Sequence, residues 1–313
     1  MSITSYELQM ANLKLRLRLI AVLIVLCFFA GNVFAQTENV SAKETDFLEQ
    51  SDNLSQLVTG GTVEQKRDAL LRIRNFELEP ASRLAVPALR DKSEIVRATA
   101  AASVVFLPQD EAAQNLISLL ADKKPLVRRE AAYALGVIGS STAIDSLLQI
   151  IQKDKVLEVR SAAIIALGTI GDESAVDALL TILRKKSQAK EEFVRRSAAR
   201  SIGQIAQIIQ TGKKEVTTPE NFLPENFKRI ELPVYPKLIE AVSQFRPAVI
   251  ALIQLLNNAR ETPDVKREAA FALGAIGDAS AISVLQIGAN DSDYYLAEIC
   301  REALRKIAAA SNH

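Results

Sequence analysis

Side chains that could carry out chemistry are few and scattered in this 313-residue sequence. It contains one histidine, His313 at the last position, and two cysteines, Cys27 and Cys300. A Ser-His-Asp or Cys-His arrangement needs an internal histidine as its base, and the sequence has none. Neighbouring carboxylates such as Glu191 and Glu192 are typical of a solvated helix start rather than of acid–base catalysis. We therefore predict no catalytic residues.

Metal and phosphate sites are equally hard to build from these residues. One histidine and two distant cysteines cannot supply a cluster with metal-ligand spacing. The glycines recur inside a helical phrase instead of forming a phosphate-binding loop between a strand and a helix. We expect neither a metal nor a cofactor, and we expect Cys300 to be a small buried helix residue.

The elements that position these residues are copies of one helical phrase. Six copies can be recognised, and their first residues are Gln65, Val96, Val127, Val159, Val194 and Val265. Successive starts differ by 31, 31, 32, 35 and 71 residues, the last interval being about two periods. A period in this range indicates a solenoid, in which each unit buries its apolar side only against its neighbours.

Within each copy, positions are counted from its first residue, which is position 0. Positions 0, +4, +8 and +11 fall on one side of an α-helix. Position +4 is always alanine and position +8 is always a branched aliphatic residue, so neighbouring helices can approach closely. Four copies have glycine at position +9, namely Gly136, Gly168, Gly203 and Gly274. A helical glycine costs about 1 kcal/mol relative to alanine, so its recurrence predicts a backbone contact without room for a side chain.

Shorter apolar runs between the copies supply a partner helix for each of them. We therefore predict an all-α fold, an α-solenoid of about six to seven stacked antiparallel helix pairs. The predicted organisation is a leader (1–35), a tail with an N-terminal capping helix (36–61), repeats (62–206), a proline-containing insertion (207–246), and further repeats with a C-terminal cap (247–310). The prolines of the insertion exclude a continuous helix there. A functional loop and a tolerated insertion both remain open.

The leader has the three parts of an export signal. Lys14, Arg16 and Arg18 form its positive end, an apolar stretch follows, and Val33-Phe34-Ala35 is a small-residue cleavage site. We expect cleavage and export to the bacterial periplasm or the extracellular space, with no membrane insertion afterwards. The alternative is an N-terminal membrane anchor, although the 17 residues of 19–35 are fewer than the ~20 that a spanning helix needs.

The charge balance bears on the class of partner. Lysine and arginine number 38 and aspartate and glutamate 37. Residues 1–35 carry three cations and one anion, so the remainder of the chain has a net charge of −1. No basic excess is present to attract nucleic acid or an anionic membrane.

The phrase Val-Arg-x-x-Ala-Ala-x-Ala-Leu-Gly-x-Ile-Gly at 127–139, with small departures at 159–171 and 265–277, resembles the HEAT repeat. More narrowly, it resembles the short variety named for phycobilisome lyases. The resemblance implies a structural ladder of aspartates and arginines that links neighbouring units. The matching residues are Asp91 with Arg97, Asp122 with Arg128, and Asp154 with Arg160. The pattern lapses at Ala189/Arg195 and at Arg260/Lys266.

Two enzyme activities occur among similar repeats. Deoxyhypusine hydroxylases hold two irons with His-Glu pairs on their repeat helices, and this chain lacks the histidines for such a site. Bilin lyases act on cytoplasmic antenna proteins, whereas this chain carries an export signal and no motif that identifies a bilin site. We therefore predict a protein that is not an enzyme, and we retain a lyase or enzyme subunit similar to phycobilin lyases as an alternative.

Positions +3, +6 and +10 face away from the packed side and vary from copy to copy. Each copy forms the second helix of its pair, and in a curved stack the second helices line the concave side. We predict a scaffold that binds a protein or peptide there, through Phe106, Arg129, Glu130, Tyr133, Val137, Ile165, Arg200 and Phe271. Two alternatives are that the apolar members complete contacts between helices, and that the protein is purely a structural spacer.

Overall fold

The computed structural model describes residues 42–185, 188–212 and 238–311 of the chain. Within these ranges the backbone forms α-helices and short 3-10 helices joined by turns, and it contains no β-strand. Among these helices none combines the length and the apolar character that a membrane crossing requires. The predicted leader and most of the predicted insertion lie outside the described residues.

The chain divides into two compact units, Met1–Gln56 and Leu57–His313. Helix α1 spans residues 42–60 and supplies the described part of the first unit. The helices of the second unit are α2 (Val63–Phe76), α3 (Glu79–Ala85), α4 (Glu94–Ser103), α5 (Gln109–Leu119), α6 (Pro125–Ile138), α7 (Ile144–Lys153), α8 (Leu157–Ile170), α9 (Val176–Leu183), α10 (Glu192–Thr211), α11 (Leu238–Ala241), α12 (Phe245–Asn257), α13 (Pro263–Ile276), α14 (Ile282–Gly288) and α15 (Tyr294–Ser311).

The second unit is built as two layers of helices. The second-helix layer contains α2, α4, α6, α8, α10, α13 and α15, and each of these contacts the next in that order. The first-helix layer contains α3, α5, α7, α9, α12 and α14, and each packs against the second helix that follows it. The described residues thus form six helix pairs preceded by α2, which confirms the predicted all-α solenoid.

The residues at the repeat positions explain why each second helix begins, packs and ends where it does. Every residue at positions +4 and +8 of the six copies has an exposure of 0%. Helices α6 and α13 begin with Pro125 and Pro263, a residue that fits the first helical turn. At the other end, Gly139, Gly171 and Gly277 have φ values of 70°, 82° and 80°, the left-handed conformation that glycine adopts without strain.

Two boundaries differ from those that the sequence suggests. Helix α4 ends at Ser103, five residues before Pro108, so Phe106 lies in a turn rather than on the helix. A proline disfavours helical geometry in the residue before it, which limits α4 at this end. Helix α10 instead continues to Thr211, into the predicted insertion. The added turn contains Ile208, whose side chain packs against Gly171 at the end of α8. A Cβ built on Gly171 would lie 2.6 Å from Ile208 Cγ2.

The stack continues past the insertion. Helix α12 packs against α9, and α13 packs against α10, as successive first and second helices do elsewhere in this unit. Residues 213–237 therefore separate, in the sequence, two helix pairs that are neighbours in the stack. The insertion interrupts the sequence without interrupting the order of the layers.

Successive second helices touch where the repeat has glycine. A Cβ built on Gly136 would lie 2.8 Å from Ala166 Cα, and one on Gly274 would lie 2.7 Å from Ala303 Cα. Real Cβ atoms do not approach backbone so closely. A Cβ on Gly203 would lie 2.9 Å from Ala272 Cα, whereas one on Gly168 would lie 2.5 Å from the side-chain atoms Ser201 Oγ and Gln204 Oε1. The predicted backbone contact at position +9 is confirmed at Gly136, Gly203 and Gly274, and its partner there is an alanine of the next second helix.

We predict that Gly136→Ala destabilises the protein although alanine is the better helix former. Helix propensity alone would favour alanine by about 1 kcal/mol. Overpacking against the backbone of Ala166 costs about 1–3 kcal/mol, so we expect a net loss of up to about 2 kcal/mol in the free energy of unfolding. Urea unfolding followed by circular dichroism measures this loss.

The matched control is Gly60→Ala. A Cβ at Gly60 has no atom within 4 Å, so this substitution should be neutral or slightly stabilising. If Gly136→Ala were as stable as Gly60→Ala, the close approach of α6 and α8 would not be a real constraint.

Candidate functional site

The exposed surface of the second-helix layer is positioned by polar contacts in the loops between helix pairs. In three loops an aspartate accepts a hydrogen bond from the backbone N–H two residues further on, at Ser93, Lys124 and Val156, with N–O distances of 2.8–2.9 Å. Each of these aspartates also forms an ion pair with a basic side chain of the preceding unit. The pairs are Asp91 with Lys66, Asp122 with Arg97 and Asp154 with Arg128, with nitrogen–oxygen distances of 2.6, 2.8 and 2.6 Å. Each aspartate thus fixes its own loop and links it to the unit before.

The partners in this ladder differ from the six-residue pairs that the sequence suggests. Arg97 does reach Asp91, but it donates to the backbone oxygen of Asp91 at 2.8 Å. Arg128 donates to the backbone oxygen of Asp122 at the same distance. Their side-chain partners lie one unit further along, because an arginine directed along the stack reaches the next loop. Arg160 bonds the backbone oxygen of Ile151 at 3.1 Å.

The ladder also continues beyond the third predicted pair, where the sequence pattern lapses. Arg160 lies 3.6 Å from Glu191, and Arg267 lies 2.6 Å from Asp293. Glutamate replaces aspartate in the first case, and the arginine is displaced by one residue in the second. A search for acids and bases within two residues of the ladder positions would have found both.

The link across the insertion is a buried ion pair. Arg195 and Glu261 are 66 residues apart in sequence, and their side chains are 3% and 1% exposed. Arg195 also donates to the backbone oxygens of Leu183 at 3.1 Å and Lys185 at 2.8 Å, at the C-terminal end of α9. Burial of both charges is tolerated because each has hydrogen-bonding partners. This pair ties the units on either side of residues 213–237.

The ladder carboxylates have altered proton affinities. The hydrogen bond from Arg97 lowers the pKa of Asp122 below its ordinary 3.8; burial opposes this shift, and the backbone N–H of Lys124 adds to it. For Asp154, burial acts to raise the pKa, but the bonds from Arg128 and from the backbone of Val156 outweigh it, so the pKa is lowered. These groups therefore remain ionised, and the ladder remains formed, throughout the neutral range.

The structure places the predicted partner-binding residues in different environments. Val137 on α6 is 64% exposed, and Tyr133 and Ile165 are half-buried. Arg129 and Glu130 form an ion pair of 2.8 Å with each other. These residues of α6 and α8 share one exposed face, which we call the central face.

The remaining predicted residues do not belong to that face. Phe106 is half-buried in the turn after α4. Arg200 is exposed on α10 and bonds Glu268 of α13 at 3.0 Å. Phe271 lies against Gly203, where a Cβ would come within 2.7 Å of Phe271 Cε1, so its ring fills space between α10 and α13. Phe271 therefore completes a contact between helices, which was the alternative to partner binding for the apolar residues.

The structure shows a second exposed group near the C-terminal end, which we call the aromatic cluster. Its members are Phe193, Arg196, Arg267, Tyr294 and Tyr295. The three aromatic residues are 45%, 65% and 56% exposed in that order along the chain. The Arg196 guanidinium lies 4.9 Å from the Phe193 ring centre, and that of Arg267 lies 5.4 Å from the Tyr295 ring centre. Both stacks lie within the range of favourable cation–π contacts.

Carboxylates connect the two arginines of this cluster. Asp264 forms ion pairs with Arg196 at 3.2 Å and with Arg267 at 2.6 Å. Arg267 also forms an ion pair with Asp293. The cluster therefore presents fixed aromatic rings without an excess of charge. Sequence reasoning missed it because Phe193 and Tyr295 stand directly before a buried residue, outside positions +3, +6 and +10. Aromatic residues just before the repeat in α10 and α15 were the available signal.

Reactive groups are scarce in the part of the chain that the structure describes. No three His, Cys, Asp or Glu side chains there are placed to hold a metal ion. Burial raises the pKa of the Cys300 thiol to about 12, with a further rise from Asp291 and a small opposing effect of Arg301. Burial also raises the pKa of Glu268 against the opposing charge of Arg200.

Family models match this chain over most of the helical stack. The HEAT-repeat model matches residues 82–167 and 149–216, and the PBS lyase HEAT-like repeat model matches residues 265–291. The second match falls after the insertion, where the structure also shows the stack continuing. HEAT-type repeat models thus match the chain on both sides of the insertion.

Individual relatives give weaker information. Deoxyhypusine hydroxylase from Bos taurus is 36% identical over 70 residues, which cover 22% of this chain and only 23% of the bovine protein. Deoxyhypusine hydroxylase-B from Oryza sativa subsp. japonica is 26% identical over 257 residues, or 75% of this chain and 84% of the rice protein. A Kap121p mutant has a similar structure, with a TM-score of 0.52, 15% identity, and coverage of 78% of this chain and 25% of that one. At this identity the structural likeness shows the fold alone.

We predict that Glu261→Ala is among the more costly single substitutions in this protein. It leaves the buried Arg195 without its carboxylate, which typically costs about 3–5 kcal/mol. The control is Glu111→Ala, which removes a 2.9 Å pair with Arg83 whose side chains are 38% and 50% exposed and should cost at most about 1 kcal/mol. Arg195→Met combined with Glu261→Leu should recover most of the loss, because it removes both charges. Equal unfolding midpoints for Glu261→Ala and Glu111→Ala would contradict the assigned role of the pair.

We further predict that the ladder makes stability depend on acid pH. The pKa of Asp122 is lower in the folded protein than the ordinary 3.8, so its contribution is complete above about pH 4 and is lost as pH falls through the folded value. Asp122→Asn should therefore flatten the fall of unfolding free energy below about pH 4, and Arg97→Gln should flatten the same range from the other side of the bond. Urea unfolding at a series of pH values tests this, and profiles parallel to that of the unsubstituted protein would refute it.

Proposed function

This chain is a HEAT-repeat protein of the phycobilisome-lyase-like repeat type, and on that premise we propose that it is an exported scaffold that binds another protein or peptide. Binding would occur through the second-helix layer, which in a curved solenoid faces the concave side. The partner would be recognised by the shape and the side chains of this surface. No chemical step by the chain itself is part of the proposal.

The observation that carries the proposal is the exposure of large apolar and aromatic residues along the second-helix layer. Val137 on the central face is 64% exposed, and Tyr294 and Tyr295 in the aromatic cluster are 65% and 56% exposed. Tyrosine and arginine are the residue types that dominate binding energy at protein interfaces. The two tyrosine rings contact each other and Arg267 lies over that of Tyr295, so these rings would lose little conformational entropy on binding.

Core positions are constant from copy to copy within the chain while surface positions vary, and this contrast supports the same function. Positions +4 and +8 keep the same residue class in every copy and are completely buried. Position +6 instead changes from Leu71 to Tyr133, Ile165 and Arg200. A scaffold needs a constant core to maintain its shape and a varied face to select a partner. A purely structural spacer would not need the exposed aromatic residues.

The export part of the proposal rests on the leader. Its three cations, apolar stretch and small-residue cleavage site are typical of a cleaved signal, and they support export of the mature chain from the cytoplasm. A protein or peptide partner fits the charge of the mature chain better than nucleic acid does, because the mature chain has no excess of cations. The membrane-anchored form remains the alternative for the leader.

A second candidate function is a lyase or enzyme subunit, which the match to the PBS lyase HEAT-like repeat favours. The deoxyhypusine hydroxylases to which this chain is similar are also enzymes. The sequence argues against an iron site of their type, because its one histidine is the last residue. An absorption band of a bound chromophore, or stoichiometric iron in the purified protein, would favour this candidate over the scaffold.

We predict that two substitutions on the second-helix layer, Val137→Asp and Tyr295→Ala, each weaken partner binding by about tenfold or more. Both side chains are exposed, so the helix content of the variants should not change. The matched controls are Ile250→Asp and Ile287→Asp on the first-helix layer, where the side chains are 57% and 70% exposed. Proximity labelling of the native cell envelope identifies the partner, and binding of the purified pair is then measured for each variant.

The outcomes separate the possibilities. Loss of binding in the second-layer variants alone supports the scaffold. Equal loss in the first-layer variants would place the interface elsewhere, and labelling of cytoplasmic proteins alone would contradict export.

A further inference from the structure

A cavity of about 400 Å³ opens between the C-terminal ends of α9 and α12, in the first-helix layer. We call it the basic cavity, because Arg184, Lys185, Arg195 and Arg260 line it together with the amides Gln254 and Asn258. None of its lining residues is an aspartate or glutamate. None of its lining residues belongs to the central face or to the aromatic cluster, and the role considered for it is separate from the proposed scaffold function.

The positive charge has a local cause in the sequence. The loops after α3, α5 and α7 contain Asp91, Asp122 and Asp154, each of which forms an ion pair with a cation of the preceding unit, namely Lys66, Arg97 and Arg128. The loop after α9 has Arg184 and Lys185 at this point and no aspartate. The next loop along the stack adds Arg260. All three cations are exposed, and the structure records no ion pair for them within its described ranges.

Arg195 does not add to this excess. Glu261 balances its charge, and its guanidinium covers the backbone oxygens of Leu183 and Lys185. Those oxygens would otherwise repel an anion at the end of α9. The buried pair therefore both closes the stack and shields the floor of the cavity.

Cations at helix C-termini could serve only to balance helix dipoles, and the magnitudes decide against this. Two helix ends, those of α9 and α12, contribute about −0.5 charge each. Three cations without carboxylate partners outweigh them and leave an excess of about +2. Dipole compensation accounts for about one of the three charges, and the other two are available to bind an anion.

We propose that the basic cavity binds a small oxyanion with at least two negative charges. Its volume falls within the ~300–1,000 Å³ range of small-molecule sites. The guanidinium groups of Arg184 and Arg260 can each bond a phosphate or carboxylate group through two N–H donors. The side-chain amides of Gln254 and Asn258 supply neutral donors beside them. Phosphate and carboxylate ligands share this chemistry, and the experiment distinguishes them.

The test uses the mature chain and calorimetric titration with inorganic pyrophosphate and, separately, with citrate, at constant ionic strength. We expect saturable binding with one site per chain for at least one of them. The double variant Arg184→Gln/Arg260→Gln should bind about tenfold more weakly or worse. The control Lys92→Gln/Lys123→Gln removes two exposed cations from loops that contain aspartate, and it should bind within about twofold of the unsubstituted protein.

A further variant, Gln254→Glu, places a carboxylate in the cavity lining and should abolish binding while helix content and the unfolding midpoint are retained. Stronger binding of pyrophosphate identifies a phosphate ligand, and stronger binding of citrate identifies a polycarboxylate. The proposal is overturned if neither anion saturates a single site. It is also overturned if the control double variant loses as much affinity as the cavity double variant, because the attraction would then be a general property of surface charge.

Discussion

The close approach of successive second helices is the constraint on which the rest of the structure depends. At Gly136 and Gly274 the next helix lies so near that a single additional carbon would collide with its backbone. Small residues are therefore needed on both sides of each contact, and the helices can meet in only one register. With the register fixed, the positions that face away from the core fall on the same surface in every unit. That alignment turns the outward-facing sides of separate helices into one continuous surface.

Polar contacts complete what the glycine contacts begin. Each loop acid links its own helix start to a cation of the preceding unit, so the loops follow the order of the stack. Across the insertion, the buried Arg195–Glu261 pair takes this role, with additional bonds from Arg195 to the end of α9. The change from an aspartate to basic residues in that loop has a second consequence. It leaves cations without carboxylate partners beside a cavity, which is the basis of the proposed anion site.

Sequence periodicity was sufficient to predict the fold and its core. The alanines at position +4 recur in all six copies and the glycines at +9 in four of them, and the structure shows the alanines buried and the glycines at contacts between helices. Individual partners were harder to predict, because they depend on how one unit is rotated against the next. The pairing of Arg97 with Asp122 rather than with the side chain of Asp91 is one example. Phe271 is another, since its packing against Gly203 depends on α13 following α10 across the insertion. The basic cavity could not be predicted for the same reason.

Cross-linking across the insertion tests most directly whether the two parts of the chain form one stack. Arg196 on α10 and Asp264 on α13 are 3.2 Å apart and are 37% and 40% exposed, and they lie 68 residues apart in sequence. With cysteines at these two positions, a short bifunctional thiol reagent should form an intramolecular cross-link rapidly in the native protein and only slowly in urea. Cys27 is replaced by serine in this variant, and Cys300 does not compete because it is buried. If cross-linking in the native protein were no faster than in urea, α10 and α13 would not be neighbours, and the continuous second-helix surface would be contradicted.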